Sequence, residues 1–463
     1  GQGRIVAALR QGQAYGLAAQ AAEVVMQIGA VAFDSQAQFA QGLRAVVGLC
    51  GAGCVAAEPI VQHDFGAADG RPDRPERVVE VEGNALYARE IQHENKVYLS
   101  GREYRMPSSS PSFPSRPPAG SSAAARPSSV PGDLPPLADG TAVLYVNLGT
   151  PEAPTAPAVR RYLAEFLADP RVIEIPRALW LPLLHGVILR VRPAKSAAKY
   201  ATVWMADGSP LKVWTVRQAS LMQDALRAAG HDVPVLPAMR YGQPALLDQL
   251  ESLKARGLRR LLVVTAYPQY SGTTTASVSD TVYQWAQRQR AVPEIRLVRS
   301  FHDDPAYIEA LARQVEQHWE SHGRPDQLVM SFHGLPARNV QLGDPYQQEC
   351  GVTASLLAQR LGLDDTRYRM TFQSRFGRAK WLQPYTEPTL IELARQGVRH
   401  VQVVCPGFPA DCIETLEEIN QEVRAAYMQA GGGNFSYIPG LNDSPAGIEA
   451  LAAVALRQLD GWR

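Results

Sequence analysis

The sequence predicts an α/β protein: two consecutive, similar, doubly wound (Rossmann-like) domains with a cleft between them, preceded by an unassigned N-terminal extension and a disordered linker. Three observations predict it. From Thr141 onward, short apolar runs alternate with stretches of helical periodicity, the β-α-β-α pattern of a mainly parallel sheet. That region repeats itself. GLRRLLVV (257–264) matches GVRHVQVV (397–404) at a shift of 140, IEALA recurs at 308 and 448 with the same shift, and MRYG (239–242) pairs with SRFG (374–377) at 135. The composition agrees: 463 residues, 46% hydrophobic and 20% charged, are too many for one ordinary core and too apolar for wholesale disorder. The two domains are read as 139–300 and 301–463, the extension as 1–105 and the linker as 106–138.

Residues 1–105 are rich in Ala and Gly, with an amphipathic stretch over 17–49 and a short hairpin at VYLSGREYRM, its turn at Ser100-Gly101. Residues 106–138 hold nine Pro and nine Ser, which cannot bury enough apolar surface to offset the entropy of ordering. The first domain then shows strands at 142–148, 234–239, 260–266 and 294–299, the second at 327–332, 368–373, 400–405 and 434–438. VNLGTP (146–151) pairs with SFHGLP (331–336) at a shift of 185, so the first copy carries 45 to 50 extra residues after its first strand. This insertion, about 152–205, is expected to form a lip over the cleft. It includes ALWLPLLHGVIL (178–189) between Arg177 and Arg190, which suits a membrane-surface segment, a pocket wall or an ordinary buried helix.

Charge and cysteine usage exclude several classes. A net charge of +1 gives no basic field for nucleic acid. Five cysteines, Cys50, Cys54, Cys350, Cys405 and Cys412, are too few and odd for a disulfide framework, so a reducing compartment is expected. Cys50 and Cys54 read as small apolar residues rather than zinc ligands. No apolar run reaches the ~18 residues of a membrane span, and no signal-peptide pattern is visible. No phosphate-binding glycine loop follows a strand. A cytoplasmic protein is the expectation.

In open α/β sheets ligands sit beyond the carboxyl ends of the strands. His333 follows the first strand of the second domain and Glu414 follows the third, and these strands are neighbours in the common doubly wound orders. An imidazole there can take protons near neutral pH or ligate a metal, and a carboxylate can bind a cation or tune the ring. The plainer readings are a hydrogen-bonded loop histidine and an Asp411-x-x-Glu414 capping box. Glu414, Glu418 and Glu422, spaced by four, share one face of an α-helix, either solvated or cation-binding.

Several motifs together resemble the ferrochelatase family. They are SFHGLP with His333, GDPY (343–346), FQSRFG (372–377), Trp381 with LQP, and PGFPADCIETLEEI from Pro406. The first domain adds NLGTPEAPT from Asn147, FLADPRVIEIP from Phe166, DGSPL from Asp207, MRYG, and YPQYS (267–271). The resemblance covers about 141–459 and looks most like the proteobacterial branch, which uses protoporphyrin IX. It implies a chelatase-type fold and insertion of Fe(II) into protoporphyrin IX, the last step of heme biosynthesis, with no organic cofactor. The alternatives are a chelatase for coproporphyrin, cobalt or nickel, and a non-catalytic tetrapyrrole carrier.

Carried onto this chain, the resemblance makes His333 the proton acceptor or a metal ligand and Glu414 its metal- or proton-handling partner. Glu418 and Glu422 extend an acidic track. Tyr241, Arg240, Trp381, Phe408 and Leu148 would line the porphyrin site, and Ser209 with Arg192 or Lys195 would hold the propionates. No cysteine follows Cys412, so no [2Fe–2S] cluster is expected. Cys412 stands where animal members carry a histidine, as a soft ligand or a packed small residue. The expected partners are protoporphyrin IX and Fe(II), without nucleic acid, in a monomer or weak oligomer. Peripheral contact with the inner membrane through the lip fits an apolar substrate and product.

Overall fold

The computed structural model describes residues 98–99, 102–103, 135–377 and 379–462. The amphipathic stretch over 17–49, Cys50, Cys54 and most of the expected linker lie outside them. Of the expected hairpin, the two strands are present: β1 (Tyr98–Leu99) pairs antiparallel with β2 (Arg102–Glu103), while Ser100-Gly101 lie outside the described residues. The linker ends earlier than its composition suggests. Leu137 is buried in the first domain's core, its N–H donates to the carbonyl of Arg256 at 2.9 Å, and Arg256 Nε donates to the carbonyl of Pro135 at 2.9 Å. One well-placed leucine thus draws the end of a Pro-rich tract into the fold.

All eight predicted strands of the α/β region form. The first sheet has β3 (Thr141–Thr150), β4 (Val235–Gly242), β5 (Arg260–Thr265) and β6 (Glu294–Leu297) in the order β4-β3-β5-β6, all parallel. The second has β7 (Gln327–His333), β8 (Tyr368–Gln373), β9 (His400–Val404) and β10 (Asn434–Tyr437) in the order β8-β7-β9-β10, again parallel. The two orders are the same, as the repeat requires. The central strands are buried along nearly their whole length, because helices cover both faces of each sheet.

The repeat extends to detail. Gly149 and Gly334 occupy equivalent places at the carboxyl end of the first strand of each sheet. A Cβ on Gly149 would meet the Tyr241 carbonyl oxygen of β4 at 1.7 Å, and one on Gly334 would meet the Gln373 carbonyl oxygen at 2.7 Å. Only glycine allows neighbouring strand ends to approach so closely.

The inner faces of both sheets meet in one core. It includes Val143, Tyr145 and Val264 from the first domain, Leu328, Met330 and Phe332 from the second, and residues of three helices between them. These are Pro210–Ala228, Pro305–His322 and Pro445–Leu459, each starting at Ser-Pro or Asp-Pro. Ser209, Asp304 and Ser444 cap free N–H groups, and the proline fits the first helical position, which has no N–H to satisfy.

The insertion folds as α1 (Ala156–Ala168), α2 (Arg177–Leu183), a short π turn (Leu184–Ile188) and α3 (Leu189–Val203). It has its own core of Val159, Tyr162, Leu163, Trp180, Leu184 and Tyr200, with Leu148 and Ile413 packed against it. The apolar segment 178–189 is divided. Trp180, Leu184, Ile188 and Leu189 point inward, while Leu179 is 42% exposed. Among the described residues no helix is long and apolar enough to cross a membrane.

Candidate active site

His333 is the last residue of β7 and emerges half-buried at its carboxyl end. Its partner across the ladder is Gln373, the last residue of β8. Gln373 is buried. Its Oε1 accepts from Ser331 Oγ at 2.7 Å, and its Nε2 donates to the Glu414 carbonyl at 2.9 Å. Behind it the hydroxyls of Ser331, Thr386 and Thr371 form a buried chain with spacings of 2.8 and 2.9 Å. One amide therefore fixes the strand carrying His333 against the helix carrying the carboxylates.

His333 Nδ1 lies 2.7 Å from the Gly334 carbonyl oxygen. A carbonyl can only accept, so this contact assigns the neutral ring's proton to Nδ1 and leaves Nε2 with a free lone pair.

The helix after β9, Glu414–Val423, is a π-helix where an α-helix is expected. At its end the Arg424 N–H reaches the carbonyl of Ile419, five residues back. The capping box does not form. Asp411, 4% exposed, accepts instead from Thr415 Oγ1 (2.9 Å), Tyr437 OH (2.6 Å) and Asn442 Nδ2 (2.7 Å), tying the helix start to β10 and the loop after it. Glu418 accepts from the Ser374 N–H at 2.6 Å and from Ser374 Oγ at 2.5 Å. Ser374 achieves this with φ of 63°, a left-handed conformation unusual for a residue with a side chain. Burial pushes the Glu418 carboxyl above its ordinary range. Ser374 and the nearby His333 oppose that shift, and Glu414 reinforces it. Glu418 is thus within electrostatic reach of both His333 and Glu414.

Glu422 departs from the expected track. With Glu417 it pairs with Lys199 of α3, whose Nζ lies 2.7 Å from Glu422 and 3.1 Å from Glu417. In a π-helix residues five apart stack, so Glu422 aligns with Glu417.

Glu414 lines a small, partly open pocket together with Leu148, Gly149 and Thr150 at the end of β3, Tyr200 of α3, Ser209 and Cys412. It lies between the carboxyl end of the first sheet, the lip and the start of the π-helix. Leu148 and Ser209 both line this pocket, and Ser209 also caps its helix by accepting from the Lys212 N–H. Burial and the neighbouring Glu414 push the Cys412 thiol well up, which keeps it protonated and favours its role as a packed residue.

Arg192 has no hydrogen bond or ion pair among the described residues. Its guanidinium sits 5.7 Å from the Phe376 ring, which in turn contacts Trp381 at 4.7 Å. Trp381 is buried, and its indole N–H has no partner. Arg240 and Tyr241 are otherwise occupied. Arg240 Nη2, Tyr241 OH and Ser277 Oγ all donate to Asp169 Oδ2, at 2.5, 2.8 and 2.6 Å. Burial raises the Asp169 carboxyl, but the hydrogen bonds from Ser277, Arg171 N–H and Tyr241 and the charge of Arg240 outweigh it and hold the group low. Tyr241 is 2% exposed, so it supports the pocket wall from behind rather than forming its surface. Phe408 packs against the outer core of the second sheet, beside Val401, Val403 and Ile419.

Sequence reasoning missed Ser374, Asp169, Lys199 and two phenols, Tyr162 and Tyr200. Burial pushes both phenols up, and Glu414 adds to the shift, which places them near that carboxylate. Ser374 and Asp169 sit inside FQSRFG and FLADPRVIEIP, but nothing local marks their partners. The chain also carries a metal-type spacing where the sequence reading expected none, His318-x-x-x-His322. The two rings stack at 3.9 Å, and His318 Nε2 is engaged by Ser436 Oγ at 3.0 Å. Among the described residues no three His, Cys, Asp or Glu side chains are arranged to hold a metal ion.

Two like-ordered parallel sheets, with an imidazole and a buried carboxylate near the strand ends of the second, define a two-domain α/β protein with a polar site at its carboxyl edge. The Ferrochelatase family model matches residues 140–459, and the chain belongs to that family. It is 62% identical over 325 residues to the ferrochelatase of Methylibium petroleiphilum, covering 70% of this chain and 90% of that protein. It is 62% identical over 322 residues to that of a Polaromonas species (70% and 88% covered) and 57% over 320 to that of Bordetella pertussis (69% and 88%).

Proposed function

We propose that the chain inserts Fe(II) into protoporphyrin IX, releasing two protons and forming protoheme. The observation that carries this reading is His333, its Nδ1 held by the Gly334 carbonyl, within electrostatic reach of Glu418, which in turn feels Glu414. Two pyrrole N–H bonds must break as a dication enters. A neutral imidazole accepts each proton in turn, and the carboxylates attract the metal and relay the protons outward. The ion is substrate here, and the reaction needs no resident organic group. Arg192 suits a porphyrin propionate, because it is a half-buried cation without an anionic partner. Phe376 and Trp381 offer aromatic faces beside it. Arg240 and Tyr241 act from behind, holding Asp169 and with it the turn after α1.

The test is anaerobic mixing of the protein with protoporphyrin IX and Fe(II), following heme absorbance. Parallel reactions use coproporphyrin III and Co(II). Heme formation with the first pair is expected, and preference for either substitute would overturn the assignment. Peripheral membrane contact is supported by Leu179 and Val191, exposed on the lip at 42% and 38% beside the exposed Arg177 and Arg190. Flotation with anionic liposomes is expected, and Leu179→Glu should weaken it.

A further inference from the structure

The wide turn of the π-helix Glu414–Val423 places Glu414 and Glu418, yet π winding is rare and needs a local cause. Glu417 and Glu422 supply a clue. Glu417 is 9% exposed, Glu422 is 49% exposed, and no cation other than Lys199 pairs with either among the described residues. Their spacing of five matters. At 3.6 residues per turn, side chains five apart on an α-helix point about 140° away from each other, too far for one ammonium to bridge. The π ladder bonds residue i to i+5 and stacks the same pair.

We propose that Lys199 is a positioning residue. Its ammonium bridges a carboxylate pair that only π winding brings together, and so it holds the turn that sets Glu414 and Glu418 beside His333. The proposal rests on the iron-insertion reading for its effect on turnover but not for its effect on winding. Without Lys199, Glu417 and Glu422 would face each other with no counterion. Rewinding the segment toward α geometry separates them and relieves the repulsion. That rotation would carry Glu418 away from the Ser374 N–H and Oγ that now hold it. Lys199 lies on α3, so the lip and the carboxylate helix are coupled through one side chain.

Lys199→Met, Lys199→Arg and the triple variant Lys199→Met/Glu417→Gln/Glu422→Gln separate positioning from mere structural support. Two readouts are used: steady-state iron insertion, and amide hydrogen exchange of residues 414–423, which needs no activity. Lys199→Met is expected to speed exchange across 414–423 and to lower kcat roughly 3- to 30-fold, with KM for protoporphyrin IX unchanged. Raising salt should move the wild type toward the Met variant, because the bridge is half exposed, and should leave the Met variant unchanged. Lys199→Arg should recover most of kcat and of the protection, and the triple variant, which removes the repulsion but also the bridge, should fall between Lys199→Met and the wild type. Wild-type exchange and salt response in Lys199→Met would overturn the proposal. So would a loss that neither the Arg nor the triple variant restores. Failure of the wild type to insert iron would instead overturn the iron-insertion reading, and the exchange comparison would still decide the role of Lys199.

Discussion

In the proposed reaction His333 is the base, and one backbone contact sets its tautomer. The Gly334 carbonyl accepts a hydrogen bond from Nδ1–H, which leaves the unshared pair on Nε2. His333→Ala should lower kcat for iron insertion about 10²–10⁴-fold while porphyrin binding, read by fluorescence quenching, persists. Substantial residual turnover would remove the base assignment. Glu418 makes a second prediction. Its carboxyl is raised in the folded protein, so the folded state holds that proton more tightly than the unfolded chain does. Stability from this group is complete below the ordinary carboxyl range and is lost as pH rises through the raised value. The melting temperature of Glu418→Gln, relative to wild type, should therefore improve as pH rises from the ordinary carboxyl range and level off once the raised value is passed; a flat difference would contradict it. His333 and Glu414 were legible because strand ends can be counted along a sequence. Ser374 was not, because its role depends on a left-handed backbone and on a carboxylate 44 residues away.

At the scale of elements, all eight α/β strands were legible, because parallel strands buried on both faces leave unbroken apolar runs. The lip was legible only as an excess in the repeat shift. The winding of Glu414–Val423 was not legible at all. Its residues fit an α pattern, and the contacts it makes in the π form, with Lys199, Ser374 and Gln373, come from residues far away in the sequence. Asp411 illustrates the same limit. In sequence it has the spacing of a capping box, while in the fold it is a buried hub joining the helix start to Tyr437 and Asn442. Asp411→Ala should destabilise the protein by roughly 2–4 kcal/mol in urea denaturation, through loss of several hydrogen bonds to a buried charge. A loss under about 0.5 kcal/mol would show the hub to be dispensable.

For the whole molecule, acid lability should have an identifiable source away from the active site. Burial, together with His322 and His400, lowers His318 to about 4. The unfolded chain binds this proton more readily, so stability is complete above the ordinary imidazole value and falls as pH drops toward 4. His318→Gln should flatten the decline in melting temperature between pH 6.5 and pH 4, and an unchanged slope would assign that lability elsewhere. The division into two halves was legible from the repeat, but their shared core was not, since no periodicity records which face of a sheet meets which.

That shared core has a consequence for mass action. Two related units that bury a common apolar surface resemble the protomers of a dimer, whose melting temperature drops on dilution. Here a covalent link replaces association, and the effective concentration of one half for the other no longer depends on how much protein is present. Thermal unfolding of the paired sheets should therefore occur in one step, at a temperature independent of protein concentration.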